Sequence, residues 1–311
     1  MNTIGASTVP AILGLSPWQS PMQAWARLTG LVPADEGNAT TERGKIMEPA
    51  IREEYARRLG VLVSPGPAYE AEPFRAPAPY EWAHCRPDAW YRYRLESADL
   101  TLVEIKTTRA FSEEWGEEGS AEIPAHYLAQ VLWQMAIVSL QGERVVATDV
   151  VAFSTQADEL RVYRIPYDSG RVDALLGAVA AWRERHILGG EPPPADGSEG
   201  TRKLLARLYP GGQEKVLIDP TPDDISDAAL IAAGQAIIAE SEARVDAAKA
   251  RIMERIGKAG ATGIRGVATW APVKGRAGFD HKAAVAADPS LSRFATIGEP
   301  TRRFTLTPAK E

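Results

Sequence analysis

Hydrophobic positions along the chain follow two periodicities, and their order predicts helices packed around a sheet. After a loop, GLSPWQS (14–20), Ser20 and Pro21 suit the N-cap and first turn of a short helix that Gly30 closes. A second helix is expected from about Thr41 to Leu59, with Ile51, Tyr55 and Leu59 on one face. Pro49 lies inside it and predicts a kink or a late start, because its ring removes a backbone donor. The texture then turns to strands: AHCRPDAWYRY (83–93), a break at LESAD (95–99), and LTLVEIKTT (100–108). A helix from about Pro124 carries Tyr127, Leu128, Val131, Leu132, Met135 and Val138 as an apolar stripe. Strands near 145–154 and 160–165 and a helix across 172–187 complete this part. The expected class is α/β or α+β, a central mixed sheet flanked by helices.

Two Pro/Gly-rich stretches, GGEPPPADGSEG (189–200) and YPGGQEKVLIDPTPDD (209–224), read as connectors. They place a boundary near residue 215, between a main domain of 1–215 and a C-terminal extension of 216–311 made of a helix and strands. In the extension Thr221 and Pro222 open a long Ala-rich helix with acids in its first turn. Ile231, Ile238, Val245 and Ile252 recur every seven residues, with the small Gly234, Ser241 and Ala248 between them. That pattern suits a helix packed on its own protein, a helical hairpin, or a coiled coil between subunits with a weak seam. GVATWAPV (266–273) and RRFTLTP (302–308) read as strands.

Composition narrows the class. With 311 residues, 45% hydrophobic and 24% charged, the chain is neither disordered, collagen-like nor a disulfide scaffold. A single cysteine, Cys85, rules out an intrachain disulfide and a cysteine-rich zinc module. The four histidines include no HxxxH pair, which argues against an imidazole metal site. No run of about eighteen apolar residues is present, and the apolar start lacks the basic flank of a signal peptide, so a cytoplasmic protein without a membrane partner is expected. The net charge of −6 is unevenly spread. From Arg244 to Glu311 there are thirteen Lys or Arg against six Asp or Glu, so this segment carries +7 and the remainder −13. A basic segment is either a solvated surface or a contact for nucleic acid.

Arg86 to Thr108 carries the candidate chemistry. Glu104 and Lys106 lie two apart in an expected strand and so share a face, while Val103 and Ile105 turn to the other. Asp88, after Pro87 at a strand or hairpin edge, adds a second acid. One reading is an exposed ion pair on an edge strand, which contributes little. The other is a site for a hard cation: two carboxylates, with the Ile105 carbonyl as a further oxygen, match what Mg²⁺ takes from a protein. A lysine beside it can orient or deprotonate a water and stabilise negative charge.

RPDAW and VEIKTT, with fifteen residues between Asp88 and Glu104, match the PD-(D/E)XK nuclease signature. GASTVPAILGLSPWQSP, RGKIMEPAI, IPAHYLAQVLWQM and AAWRERHILGGEPPP occur around it in order. Together, over roughly residues 4–212, they resemble the YqaJ/lambda-exonuclease family of phage-type recombination nucleases. The resemblance implies a restriction-endonuclease-like core, with Asp88, Glu104 and the Ile105 carbonyl as metal ligands and Lys106 as the catalytic lysine. It makes Glu48 the acid that supports the metal or its water, and Gln130 the glutamine beside the lysine. Ser7, Ser16 and Trp18 fall in the family's DNA-end-binding loop, and Tyr127 and Gln134, on the same helix face as Gln130, are expected to contact DNA as well. Relatives often carry an acid where this chain has Thr8; Arg43 is then a candidate for holding a 5′ phosphate. The resemblance further implies Mg²⁺ (or Mn²⁺), duplex DNA ends, a single-strand annealing recombinase partner, a trimeric ring, and a phage or prophage origin. An endonuclease on the same core and a non-catalytic DNA-binding scaffold are the alternatives.

Overall fold

The computed structural model describes residues 2–33, 39–67, 71–94, 96–210, 217–274 and 280–294. The chain divides into two compact units, Met1–Tyr209 and Pro210–Glu311. The boundary expected near 215 lies outside the described residues, as does the strand expected at 302–308.

The first unit opens with strand β1 (Ile4–Gly5), a 3-10 turn (Ala6–Thr8) and the short helix α1 (Val9–Ile12). Helix α2 (Pro21–Leu28) follows with Ser20 and Gln23 in a reciprocal capping box, as the Ser-Pro start predicts. Helix α3 (Ala39–Leu59) runs through Pro49. The expected late start is not seen: the helix forfeits the bond a residue-49 amide would give the Lys45 carbonyl. Packing of Ile51 and Tyr55 holds its inner face. Strands β2 (Ser64–Pro65), β3 (Phe74–Arg75), β4 (Ala83–Cys85), β5 (Ala89–Tyr91) and β6 (Asp99–Thr108) come next. Then follow helix α4 (Ala125–Leu140), strands β7 (Arg144–Ser154) and β8 (Glu159–Pro166), helix α5 (Ser169–Arg183) with a π-turn to Leu188, and helix α6 (Glu199–Leu208).

The main sheet has the order β2-β5-β6-β7-β8, with β6 and β7 parallel and the other pairs antiparallel. A smaller sheet, β1-β4-β3, completes the unit. The segment 83–93, expected as one strand, is two strands in different sheets. Pro87 has no N–H for a ladder, and the chain changes sheets there. Side-chain alternation along β6 divides the core. Leu100 and Leu102 join α4 and α5 on one face; Val103 and Ile105 join Ile51 and Tyr55 of α3 on the other. Helix α3 is also held by a polar tie, since the Tyr55 and Tyr91 hydroxyls donate to the buried Asp149 carboxylate at 2.6 and 2.7 Å and Arg164 donates to it at 3.1 Å.

The second unit contains helix α7 (Pro222–Lys258), capped by Thr221 and Asp224, the hairpin β9 (Gly263–Ile264) and β10 (Ala268–Thr269), and helix α8 (His281–Ala287). Only Ala268–Thr269 of the expected strand 266–273 is paired.

Candidate active site

Glu104 and Lys106 point from β6 toward α4, as their spacing predicts. Glu104 is 2% exposed. It accepts from Lys106 Nζ and from Gln130 Nε2 (2.5 Å) on Oε1, and from Gln134 Nε2 (2.7 Å) on Oε2. Lys106 also donates to Gln130 Oε1 at 3.1 Å. Burial works against the Lys106 ammonium, but Glu104 and Asp88 outweigh it and hold the group above the ordinary lysine value. A carboxylate has about four acceptor positions. Three donors leave Glu104 room for one more ligand.

Asp88 reaches the same place from the break between β4 and β5. The last β5–β6 pair is Ala89–Val103, so beyond it this side of β6 is open. There Ile105 donates its amide to Asp88 Oδ2 at 2.7 Å. The N–H and C=O of one strand residue project to the same side, so the Ile105 carbonyl faces Asp88 as well. Gly66 clamps the turn by donating to the Asp88 carbonyl at 2.7 Å. A Cβ at position 66 would meet the Pro87 carbonyl oxygen at 1.8 Å, so only glycine fits. Burial and the neighbouring carboxylates of Glu104 and Glu48 push the Asp88 carboxyl well above the usual range, against the pull of Lys106 and the Ile105 amide.

Glu48 comes from α3 on the other side of the sheet. Gly44, one turn earlier, lies close to the Thr107 hydroxyl, which shows α3 passing over the end of β6. Burial, partly offset by Arg52, and then the Glu104 charge raise the Glu48 carboxyl above its ordinary value. Arg43 is exposed, and five residues on a helix separate it from Glu48 by about 140°. Arg43, the candidate for a 5′ phosphate, therefore does not share the helix face of Glu48.

The N-terminal loop meets the site through aromatic contacts. Trp18, 71% exposed, lies edge-on to His126 at 4.9 Å between ring centroids and 6.4 Å from Tyr127; Lys106 Nζ is 5.1 Å from the Tyr127 centroid. The Ser16 hydroxyl accepts from the amides of Trp18 and Gln19 at 3.2 Å each, and so shapes the loop. Ser7 is exposed and lines a cavity of about 400 Å³ with Ser16, Trp18, Arg27, Lys203 and Arg207. Gln134, expected on a DNA-facing surface, is fully buried and spends its amide on Glu104. It therefore braces the site from within.

Among the described residues no three Asp, Glu, His or Cys side chains already form a metal-ligand group. The donors that fit Mg²⁺ are fewer and harder: the Asp88 and Glu104 carboxylates and the Ile105 carbonyl, leaving the remaining positions to water. The charge count fits too. Three carboxylates, Asp88, Glu104 and Glu48, act on one another against Lys106 and Arg52; burial first, and the neighbouring carboxylates after it, raise Asp88 and Glu48. His126, whose imidazole burial pushes down toward the neutral form, and Gly66 escaped the sequence reading. An isolated Gly between prolines carries no periodic signal, and the His126–Trp18 contact joins residues more than a hundred positions apart. Helix α6, which brings Lys203 and Arg207, follows directly on the first connector and was not expected at all.

Residues 1–148 match the family model of the YqaJ-like viral recombinase domain. The YqaJ protein of Bacillus subtilis (strain 168) is 26% identical over 221 residues, 70% of this chain and 64% of the relative, so the chain spans less than two thirds of that protein's length. Among solved structures, an alkaline exonuclease from Laribacter hongkongensis is 18% identical with a TM-score of 0.44, covering 60% of this chain and 89% of the other. A phage-related exonuclease from Haemophilus somnus is 13% identical with a TM-score of 0.38, covering 61% and 96%. The stretch that resembles the YqaJ-like viral recombinase domain, residues 1–148, carries Glu48, Asp88, Glu104, Lys106 and Gln130.

Proposed function

We propose that the chain is a Mg²⁺-dependent DNA exonuclease that hydrolyses one strand of linear duplex DNA from the 5′ end during phage-type recombination. The observation that carries this reading is the convergence of Asp88, Glu104 and the Lys106 ammonium at the open end of β6, in a YqaJ-like domain. When bound by Asp88, Glu104 and the Ile105 carbonyl, Mg²⁺ supplies Lewis-acid stabilisation of the phosphate and makes a water easier to ionise.

The chain's own groups supply the rest. Gln130 and Gln134 fix the Glu104 carboxylate, so its oxygens need little reorganisation. Lys106, held protonated in the metal-free chain, acts as a donor that orients the attacking water and stabilises charge on the phosphate. Glu48 faces the same space and positions that water. Trp18 offers an exposed ring beside His126 and Tyr127 on which a terminal base can stack. Ser7 and the cations of the adjoining cavity meet the DNA backbone. The 3′ overhang left behind suits a single-strand annealing recombinase, and a trimeric ring would keep the enzyme on its track.

The test uses linear duplexes labelled at the 5′ or the 3′ end, with Mg²⁺ or a chelator, beside covalently closed circles. Metal-dependent release of 5′-labelled mononucleotide with circles intact is expected. Cutting of circles would replace the exonuclease by an endonuclease, and binding without cleavage would make the chain a scaffold.

A further inference from the structure

Helix α7 has 37 residues, a length of about 55 Å, and buries a single side chain, Ile256. Leu230 (71% exposed), Ile237 (66%), Ile238 (58%) and Val245 (52%) lie bare along it. With Ile231 and Ile252 they form one continuous stripe at heptad spacing. Among the described residues, the β9–β10 hairpin reaches its far end, where Trp270 lies beside Gly257. A helix draws most of its stability from burying such a face, so the stripe calls for a partner.

The charges on α7 say which partner fits. From Pro222 to Ala243 there are five acids, Asp223, Asp224, Asp227, Glu240 and Glu242, and no Lys or Arg. From Arg244 to Lys258 there are five bases and two acids, and those acids, Asp246 and Glu254, pair with Lys249 and Lys258 of the same helix. The helix is thus acidic in one half and basic in the other.

We propose that α7 pairs with the α7 of a second copy of this chain, antiparallel, through the Leu230–Ile252 stripe. Antiparallel pairing lays each acidic half along the partner's basic half, whereas parallel pairing would set like against like. It is also a closed twofold contact, with the same patch used on both copies. One register sets three large residues of the seam against small ones, Ile238 against Ala248, Val245 against Ser241 and Ile252 against Gly234, and leaves Ile231 opposite the stem of Arg255. The small residues that weaken this seam for a parallel coiled coil are here the holes that receive the large ones.

The experiment uses the intact chain carrying single cysteines and a short bismaleimide; native Cys85 is 1% exposed and does not compete. Ser241→Cys, near the crossing point, is expected to link to its own kind. Gly234→Cys is expected not to, because its two copies stand about 27 Å apart, but to link when mixed with Ile252→Cys. Self-linking of Gly234→Cys, or no linking by Ser241→Cys, overturns the proposal. In sedimentation velocity, Ile238→Glu is expected to halve the mass of the assembly. Unchanged mass overturns the pairing, and unchanged mass with weakened DNA binding would assign the stripe to DNA.

Discussion

Replacing Asp88 by Asn separates what this carboxylate does for the fold from what it does for the chemistry. Asparagine keeps an oxygen for the Ile105 amide, which now accepts at 2.7 Å, and removes only the charge. In the metal-free protein that charge is unfavourable, since burial and the Glu104 and Glu48 carboxylates hold the Asp88 carboxyl well above the ordinary value. The sign follows. Above about pH 4, where an unfolded Asp has lost its proton, the folded chain still binds one. Asp88 therefore lowers stability as pH rises toward its folded-state value, and the deficit is complete above it. At pH 8 the variant should be more stable than the parent by about 1–3 kcal/mol, the range for relieving a poorly compensated buried polar group. For a unit of this size that is roughly 2–12 °C in Tm. Thermal unfolding in chelator from pH 4 to 8 should show the parent falling relative to Asp88→Asn. Adding Mg²⁺ should stabilise the parent, by about 2.7 kcal/mol at a hundred times its Kd, and leave the variant unmoved. The variant should cleave nothing. A variant that is less stable at pH 8, with a pH profile parallel to that of the parent, would make Asp88 a structural cap of β6 and refute the reasoning.

Other substitutions probe the remaining parts. Glu104→Ala and Lys106→Ala should each slow cleavage by about 10²–10⁴-fold with the circular dichroism spectrum preserved, whereas Glu118→Ala should leave the rate unchanged. Trp18→Ala removes an exposed ring and should leave Tm within about 0.5 kcal/mol of the parent, while weakening binding of duplex ends about 5- to 150-fold by fluorescence anisotropy, equivalent to 1–3 kcal/mol of stacking. Gly66→Ala forces a Cβ into the Pro87 carbonyl and should lower stability by about 1–3 kcal/mol and abolish cleavage by displacing Asp88. Tyr55→Phe takes one of its donors from the buried Asp149 carboxylate, and urea denaturation should show a loss of about 1–3 kcal/mol.

The parts of this molecule that sequence reveals are those governed by local periodicity. Alternation along LTLVEIKTT puts Glu104 and Lys106 on one face and Val103 and Ile105 on the other, and the structure packs both faces accordingly. The stripe from Tyr127 to Val138 and the Ser20–Pro21 start are of the same kind. What was hidden depends on tertiary contact. Gln134 has the composition of a surface position, but Glu104 stands opposite and draws it inside. An edge at Pro87–Asp88 is legible, but the passage of the chain there from one sheet to another, clamped by Gly66, is not. Helix α6 is short and sits against α2 through Leu204, so its signal was lost among connectors. The aromatic bridge from Trp18 to Lys106 is a matter of packing, on which spacing is silent.

The central claim is that Asp88, Glu104 and Lys106 form a metal-dependent centre for hydrolysing DNA. Single-turnover cleavage of a 5′-labelled linear duplex, by the parent and by Lys106→Ala, with Mg²⁺ and with chelator, tests it most directly. The account predicts rapid loss of label only for the parent with Mg²⁺, and DNA binding retained by both proteins. Equal cleavage by the two proteins, or cleavage by the parent that persists in chelator, would contradict it.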